Sequence, residues 1–94
     1  MNRIIVEVKD INIHHSEKYD MFIYNIVQYK DTYFKPEGVM GMKRIVSFNK
    51  PIDLRIGEKY IVSNLDWNDR YNNYVFTEDS RIMGIMKTDL FQYM

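Results

Sequence analysis

Six short apolar runs, each bounded by turn-forming residues, constrain the fold of this chain more than any other feature. In the first run, RIIVEVKDINI, residues Ile4, Val6 and Val8 fall on one face and Arg3 and Glu7 on the other. Alternation with a period of two predicts a half-buried strand. The six predicted strands span residues 3–13, 19–29, 42–49, 58–65, 73–78 and 81–86. None of these runs approaches the roughly 20 apolar residues of a membrane-spanning helix, so no membrane association is expected.

The composition favours strands along the whole chain. Its 94 residues include no alanine, the best helix former, and 15% of them are aromatic. Aromatic and β-branched residues prefer strands, and a chain of this length forms one domain with a modest core. Short strands at regular spacing predict a small sandwich or barrel. Closure into a barrel would also remove the exposed edges of a small sheet.

The segments between the strands complete this prediction. Residues 30–41 contain Pro36 and Gly38 and are expected to form a long loop. Residues 50–57 are expected to form an extended connector or one helical turn, and residues 87–94 are compatible with a short terminal helix. The sequence therefore predicts a single all-β domain, built as a five- to six-stranded antiparallel OB-like barrel with a short C-terminal helix.

Nothing in the sequence indicates catalysis, a cofactor or a metal site. The absence of cysteine excludes disulfides and thiolate zinc ligands, and neither a nucleophile elbow nor a Gly-rich phosphate loop occurs. His14 and His15 are adjacent, so on a strand they point to opposite faces and cannot chelate one metal ion together. The start of the chain, MNRIIVEVKD, carries acids and lysine and is unlike a secretory signal. We therefore expect a non-enzymatic cytoplasmic protein.

The chain as a whole is electrically balanced, with 13 basic and 13 acidic residues. Proteins that coat nucleic acid usually carry a visible basic excess. Residues 30–59 nevertheless hold seven basic residues against four acidic ones. Any basic surface is therefore expected in the central third of the chain.

Three stretches resemble the bacterial single-stranded DNA-binding proteins, a family of OB folds. MNRIIVEVKD resembles the first strand of that family, and RIVSFNKPIDLRIGEKYIV resembles its third strand, connector and fourth strand. LDWNDRYNNYVF resembles the hairpin that follows, with Gly57 and the tripeptide Asp69-Arg70-Tyr71 as the position-specific matches. The chain lacks the glycine that follows the family's first strand. The resemblance covers roughly two-thirds of the chain and implies an OB barrel that binds single-stranded nucleic acid.

An OB fold binds its ligand on the face of strands two and three and on the flanking loops. Aromatic rings that stack on bases, together with cations that contact phosphates, are the groups such a face needs. The alternative is that these rings are ordinary core and strand residues. The candidate binding residues are Phe22, Tyr24, Tyr33, Phe34, Arg44, Phe48, Trp67, Arg70 and Tyr71.

The stretch LDWNDRYNN is predicted to be a projecting hairpin with Trp67 as its contact residue. Alternatively, Trp67 folds back and caps the barrel mouth. Asp66, Asp69 and Arg70 give the hairpin a net charge of −1, which suits a basic protein surface better than phosphates. The hairpin therefore leaves open which class of partner the protein binds.

Two functional hypotheses follow from these observations. The first is a small binding module for single-stranded nucleic acid. The second is a phage- or plasmid-encoded interaction protein that blocks a host enzyme or nuclease, which zero net charge and small size favour. The abundance of Ile, Lys, Asn, Tyr and Met, which an AT-rich gene would encode, fits such a source. Homo-oligomer formation is compatible with both hypotheses.

Overall fold

The computed structural model describes residues 3–85, and the helix predicted over residues 87–94 lies outside them. The described residues are all-β apart from one short 3-10 turn, Pro36–Gly38. The strands are β1 (Arg3–His15), β2 (Asp20–Tyr29), β3 (Val39–Phe48), β4 (Lys59–Ser63), β5 (Asp66–Asn68), β6 (Asn73–Val75) and β7 (Arg81–Ile85). The predicted all-β class is therefore confirmed.

These strands form one seven-stranded sheet in the order β5-β6-β3-β2-β1-β4-β7. Neighbouring strands are antiparallel, except for the parallel pair of β3 and β6. In the chain only residues 64–65 separate β4 from β5, although the two strands lie on opposite sides of the sheet order. The sheet must therefore curl until its two sides approach each other at these residues.

The largest differences between the predicted and observed strands occur at three places. Strand β5 lies inside the predicted hairpin loop, which raises the strand count to seven. Strand β3 begins at Val39, within the predicted loop, and its pairing with β2 continues past an irregularity in the register where Gly41 adopts a φ of 129°. Strand β6 ends at Val75 because the following residues turn: the hydroxyls of Thr77 and Ser80 donate to the carbonyl oxygen of Asn64 at 3.1 and 2.9 Å.

Strand β1 follows the predicted alternation. Ile4, Val6 and Val8 are buried and form one wall of the core. The register with β2 then shifts between Val8 and Asp10, which marks a β-bulge. Beyond the bulge Ile11 pairs with Tyr24 and packs against the core. The bulge thus returns Ile11 to the core side of this long strand, whereas Ile13, closer to the strand end, is exposed.

The connector over residues 50–57 crosses the core as an extended segment without a helix. Leu54 of this segment is buried, and the Tyr24 hydroxyl both donates to the carbonyl oxygen and accepts from the amide of Ile52, each at 2.8 Å. Gly57 has a φ of 86°, which lets the chain turn into β4. The connector thus supplies core residues where a helix would otherwise cover the sheet.

Candidate functional site

A groove of about 280 Å³ lies on the outer face of β2 and β3, beside the β5–β6 hairpin. Its floor is an apolar row that crosses three strands, since Ile23 pairs with Val46 and Val46 pairs with Val75. Met21 extends this floor by one more residue of the same parity on β2. Strand alternation places all four side chains on the side opposite the core. The floor can therefore contact the apolar part of a ligand.

Two aromatic rings form one end of the groove. Tyr19 and Phe48 pack edge to face with ring centroids 5.5 Å apart, and 40% and 48% of their surfaces are exposed. The turn before β2 fixes Tyr19, because the Ser16 hydroxyl donates to its carbonyl oxygen at 2.8 Å. The packed rings of Tyr19 and Phe48 thus present a large aromatic surface to solvent.

The turn of the β5–β6 hairpin forms the other end. The Asn68 side-chain oxygen accepts the backbone N–H groups of Arg70 and Tyr71 at 3.0 and 3.3 Å, and Asn72 adopts a φ of 54°. These contacts hold a tight turn that Asn tolerates well. The Tyr71 ring is 62% exposed, and the Arg70 guanidinium lies 5.5 Å from its centroid. The hairpin therefore presents an open ring and a cation together.

Arg44 is the cation among the residues that line the groove. It points outward from β3 and is exposed, and the structure shows no ion pair for it within residues 3–85. The amide side chains of Asn68 and Asn73 lie on the same wall. The groove thus combines an apolar floor, three exposed aromatic rings, amides and one free positive charge.

The structure corrects the expected orientation of β2. Tyr24 is only 2% exposed and packs edge to face on Phe76 with centroids 5.9 Å apart. Phe22 has the same parity and packs against the core. Both faces of β2 carry apolar residues, so alternation alone does not identify the buried one. The prediction that Phe22 and Tyr24 form the exposed binding face was therefore wrong.

Trp67 lies on the opposite side of the sheet from the groove. It pairs with Tyr74, and the two rings meet edge to face with centroids 4.9 Å apart. The indole N–H donates to Asp69 at 2.6 Å, and 41% of the side chain is exposed. The hairpin therefore presents Trp67 on one face and Tyr71 on the other.

Tyr33 and Phe34 lie in the β2–β3 connection, away from the groove. Tyr33 is 75% exposed, whereas Phe34 packs edge to face on Tyr29 with centroids 5.0 Å apart and has a Lys59 ammonium 5.0 Å from its ring. Burial raises the pKa of Tyr29, and the negative charge of Glu7, which accepts the Tyr29 hydroxyl at 3.3 Å, raises it further. Phe34, Tyr29, Lys59 and Glu7 thus form a cluster that does not line the groove.

Of the nine predicted site residues, three line the groove: Arg44, Phe48 and Tyr71. A fourth, Arg70, lies next to the Tyr71 ring. Tyr19 was not among the predicted site residues, although it lies in the predicted strand 19–29 and has the same parity as Met21 and Ile23. These two floor residues alternate with Phe22 and Tyr24, which were chosen in their place. A search for the outward parity of β2 and β3 together would have found them.

No protein family, curated protein or solved structure matches this chain. Within residues 3–85 no group of His, Cys, Asp and Glu could hold a metal ion; the His15 ring contacts Asp20 at 2.8 Å instead. The described part of the chain also has no helix long and apolar enough to cross a membrane.

Proposed function

We propose that the curled sheet is an OB-type barrel and that it binds single-stranded nucleic acid without catalysing a reaction. An OB fold is a five-stranded, partly open Greek-key barrel that binds oligonucleotides on the face of its second and third strands. The topology supports this assignment: β1, β2 and β3 form a meander, β4 returns beside β1, and β6 returns beside β3. In this interpretation β4 and β5 together correspond to the fourth strand, and β6 to the fifth.

The observation that carries the functional proposal is the groove on the outer face of β2 and β3. Tyr19, Phe48 and Tyr71 offer exposed rings at its two ends, and each base stacked on such a ring contributes about 1–3 kcal/mol. Arg44 also lines the groove, where it can contact a phosphate. The rings accept any base because every base has a stacking face, so the binding is expected to depend little on sequence.

The test measures the anisotropy of a fluorescently labelled oligo-dT of about ten nucleotides, a length within the usual range for one OB fold. Tyr71→Ala should weaken binding about tenfold, since roughly 1–3 kcal/mol of stacking is lost. Tyr33→Ala is the matched control, because this tyrosine is 75% exposed and lies away from the groove. Equal losses in both variants, or no binding by the unmodified protein at low salt, would disprove the proposal.

A protein partner is the second candidate, and the apolar floor of the groove favours it. Met21, Ile23, Val46 and Val75 would suit apolar side chains, and Asp66 and Asp69 on the neighbouring hairpin would attract basic residues. Such a partner, for example a host nuclease, would be retained on the immobilised protein after nuclease treatment. Tyr71→Ala should release it while oligo-dT fails to compete.

A further inference from the structure

A second pocket opens on the core side of the sheet, at the end where β1 begins. It has a volume of about 690 Å³, and its lining includes Arg3, Gln28, Lys43, Trp67 and Tyr74. The groove described above lies on the outer face, so the two sites are on opposite sides of the β5–β6 hairpin. Nothing in the proposed oligonucleotide groove accounts for this pocket.

The buried side-chain amide of Gln28 lines this pocket. Gln28 is only 8% exposed, and its side-chain oxygen accepts the Tyr74 hydroxyl at 3.0 Å. Within residues 3–85 its amide nitrogen donates no hydrogen bond, and no fully buried side-chain nitrogen or oxygen there lacks a partner. The amide nitrogen is therefore accessible to solvent, and Gln28 lines the pocket. A buried donor left open in this way is suited to an acceptor supplied by a ligand.

Two cations converge on the same pocket. The Lys43 ammonium lies 5.6 Å from the centroid of the Trp67 ring, which holds it beside the pocket, and Arg3 lines the rim. The lining contains no acid. One carboxylate, Asp69, touches the pocket residues by accepting the Trp67 indole N–H at 2.6 Å, so it is engaged by that ring. The pocket thus combines two positive charges and an amide donor.

We propose that this pocket binds the phosphomonoester group of a nucleotide. Such a group carries a charge of about −1.5 to −2 at neutral pH and three acceptor oxygens, which matches two cations and an amide donor. A carboxylate, with a single charge, would leave one cation uncompensated. The Trp67 ring next to these donors gives the attached base an aromatic surface. This proposal does not depend on the groove, because it uses other residues on the other face.

The test uses Trp67 as its reporter, since it is the only tryptophan in the chain. Its fluorescence is followed during titration with thymidine monophosphate, inorganic phosphate, and one oligonucleotide prepared with either a 5′-phosphate or a 5′-hydroxyl end. Calorimetry on the same ligands provides a measurement that does not depend on fluorescence. Lys43→Gln removes one pocket charge, and Lys18→Gln removes the same charge in the turn between β1 and β2.

Saturable binding of the monophosphate, weakened about tenfold or more by Lys43→Gln and unchanged by Lys18→Gln, is expected. A preference for the 5′-phosphate oligonucleotide over its 5′-hydroxyl form would assign the phosphate to a strand end, and tighter binding of the free monophosphate would assign it to a nucleotide. The proposal fails if no phosphate compound saturates below about 10 mM, or if a glutamate peptide binds as well as the monophosphate. Retained pocket binding in Tyr71→Ala would keep the two sites distinguishable.

Discussion

The hydroxyl of Tyr24 joins the core to the connector at residue Ile52. It donates to the carbonyl oxygen of Ile52 and accepts from the amide of the same residue, each at 2.8 Å. The Ile52 carbonyl oxygen also accepts the backbone N–H of Leu54 at 2.8 Å, whereas the Tyr24 hydroxyl is the acceptor shown for the Ile52 amide within residues 3–85. One hydroxyl therefore supplies an acceptor to the Ile52 amide and a second donor to its carbonyl oxygen.

Replacing Tyr24 with phenylalanine should destabilise the protein by about 1–3 kcal/mol, because the Ile52 amide loses its acceptor and the Ile52 carbonyl oxygen loses one of its two donors while the ring stays in place. Urea unfolding followed by far-UV circular dichroism measures the change. Tyr71→Phe is the control, since Tyr71 is 62% exposed and should change stability by less than about 0.5 kcal/mol. Equal stability of Tyr24→Phe and the unmodified protein would show that water replaces the hydroxyl at Ile52.

The ionisation of Tyr24 should make the stability of the protein depend on pH in the alkaline range. Burial raises the pKa of Tyr24, the hydrogen bond with Ile52 lowers it by less than burial raises it, and the negative charge of Asp53 adds a smaller rise. The unfolded chain therefore loses this proton first, at about pH 10. The stabilisation is complete below that pH and is lost as the pH rises through the folded-state pKa. Between about pH 9 and 11, the free energy of unfolding should fall less steeply in Tyr24→Phe than in the unmodified protein.

The β5–β6 hairpin separates two surfaces by strand alternation. Tyr74 and Trp67 pair on the core side, whereas Asn68, Asn73 and Val75 face the groove. Tyr71, at the turn, extends the groove face. Truncating Trp67 should therefore affect mainly the stability of the protein, and truncating Tyr71 should affect mainly binding at the groove.

Trp67→Ala should cost about 1–2 kcal/mol of stability, since an edge-to-face pair with Tyr74 is lost from a side chain that is 41% exposed. Binding of a 5′-hydroxyl oligo-dT should change less than about twofold. Tyr71→Ala should show the reverse pattern, with weaker binding and stability within about 0.5 kcal/mol. Urea titration and anisotropy on both variants test this. A loss of roughly 3–5 kcal/mol would instead identify Trp67 as a plug of the core.

Periodicity predicted the elements whose two faces differ. The alternation of apolar and polar residues in β1 correctly identified Ile4, Val6 and Val8 as core residues. Alternation did not identify the buried face of β2, because neighbouring residues such as Ile23 and Tyr24 point to opposite faces and are both apolar. Strand β5 has only three residues, too few for a period to register. This strand is defined by its pairing with β6, in which Asp66 lies opposite Val75, and that pairing depends on the tertiary fold.

The candidate site was predictable in its residue types but not in its geometry. Arg44, Phe48 and Tyr71 were selected from the sequence, and all three line the groove. The groove itself depends on the parallel pairing of β3 with β6, which brings Val75 beside Val46. That pairing joins segments about thirty residues apart and leaves no local sequence pattern. Residue chemistry is local, whereas the shape of a site depends on which distant strands become neighbours.

At the scale of the whole molecule, zero net charge sets how the proposed oligonucleotide binding should respond to salt. With 13 basic and 13 acidic residues, the chain has no general field that attracts phosphates. The cations at the groove are Arg44, which lines it, and Arg70, beside Tyr71. For single strands the logarithm of affinity falls with the logarithm of salt at about −0.7 per neutralised phosphate. Two such contacts predict a slope of about −1.4.

Arg44→Gln should therefore make this slope shallower by about 0.7, whereas Tyr71→Ala should weaken binding by a similar factor at every salt concentration. Anisotropy titrations between about 50 and 200 mM salt separate the two effects. Lys35→Gln, which removes a charge beside Tyr33 in the β2–β3 connection, away from the groove, should leave the slope unchanged. A slope several-fold steeper than −1.4 would require a longer basic track than the groove contains. A slope of zero would mean that the strand's phosphates do not contact this face, and the apolar floor would then favour a protein partner.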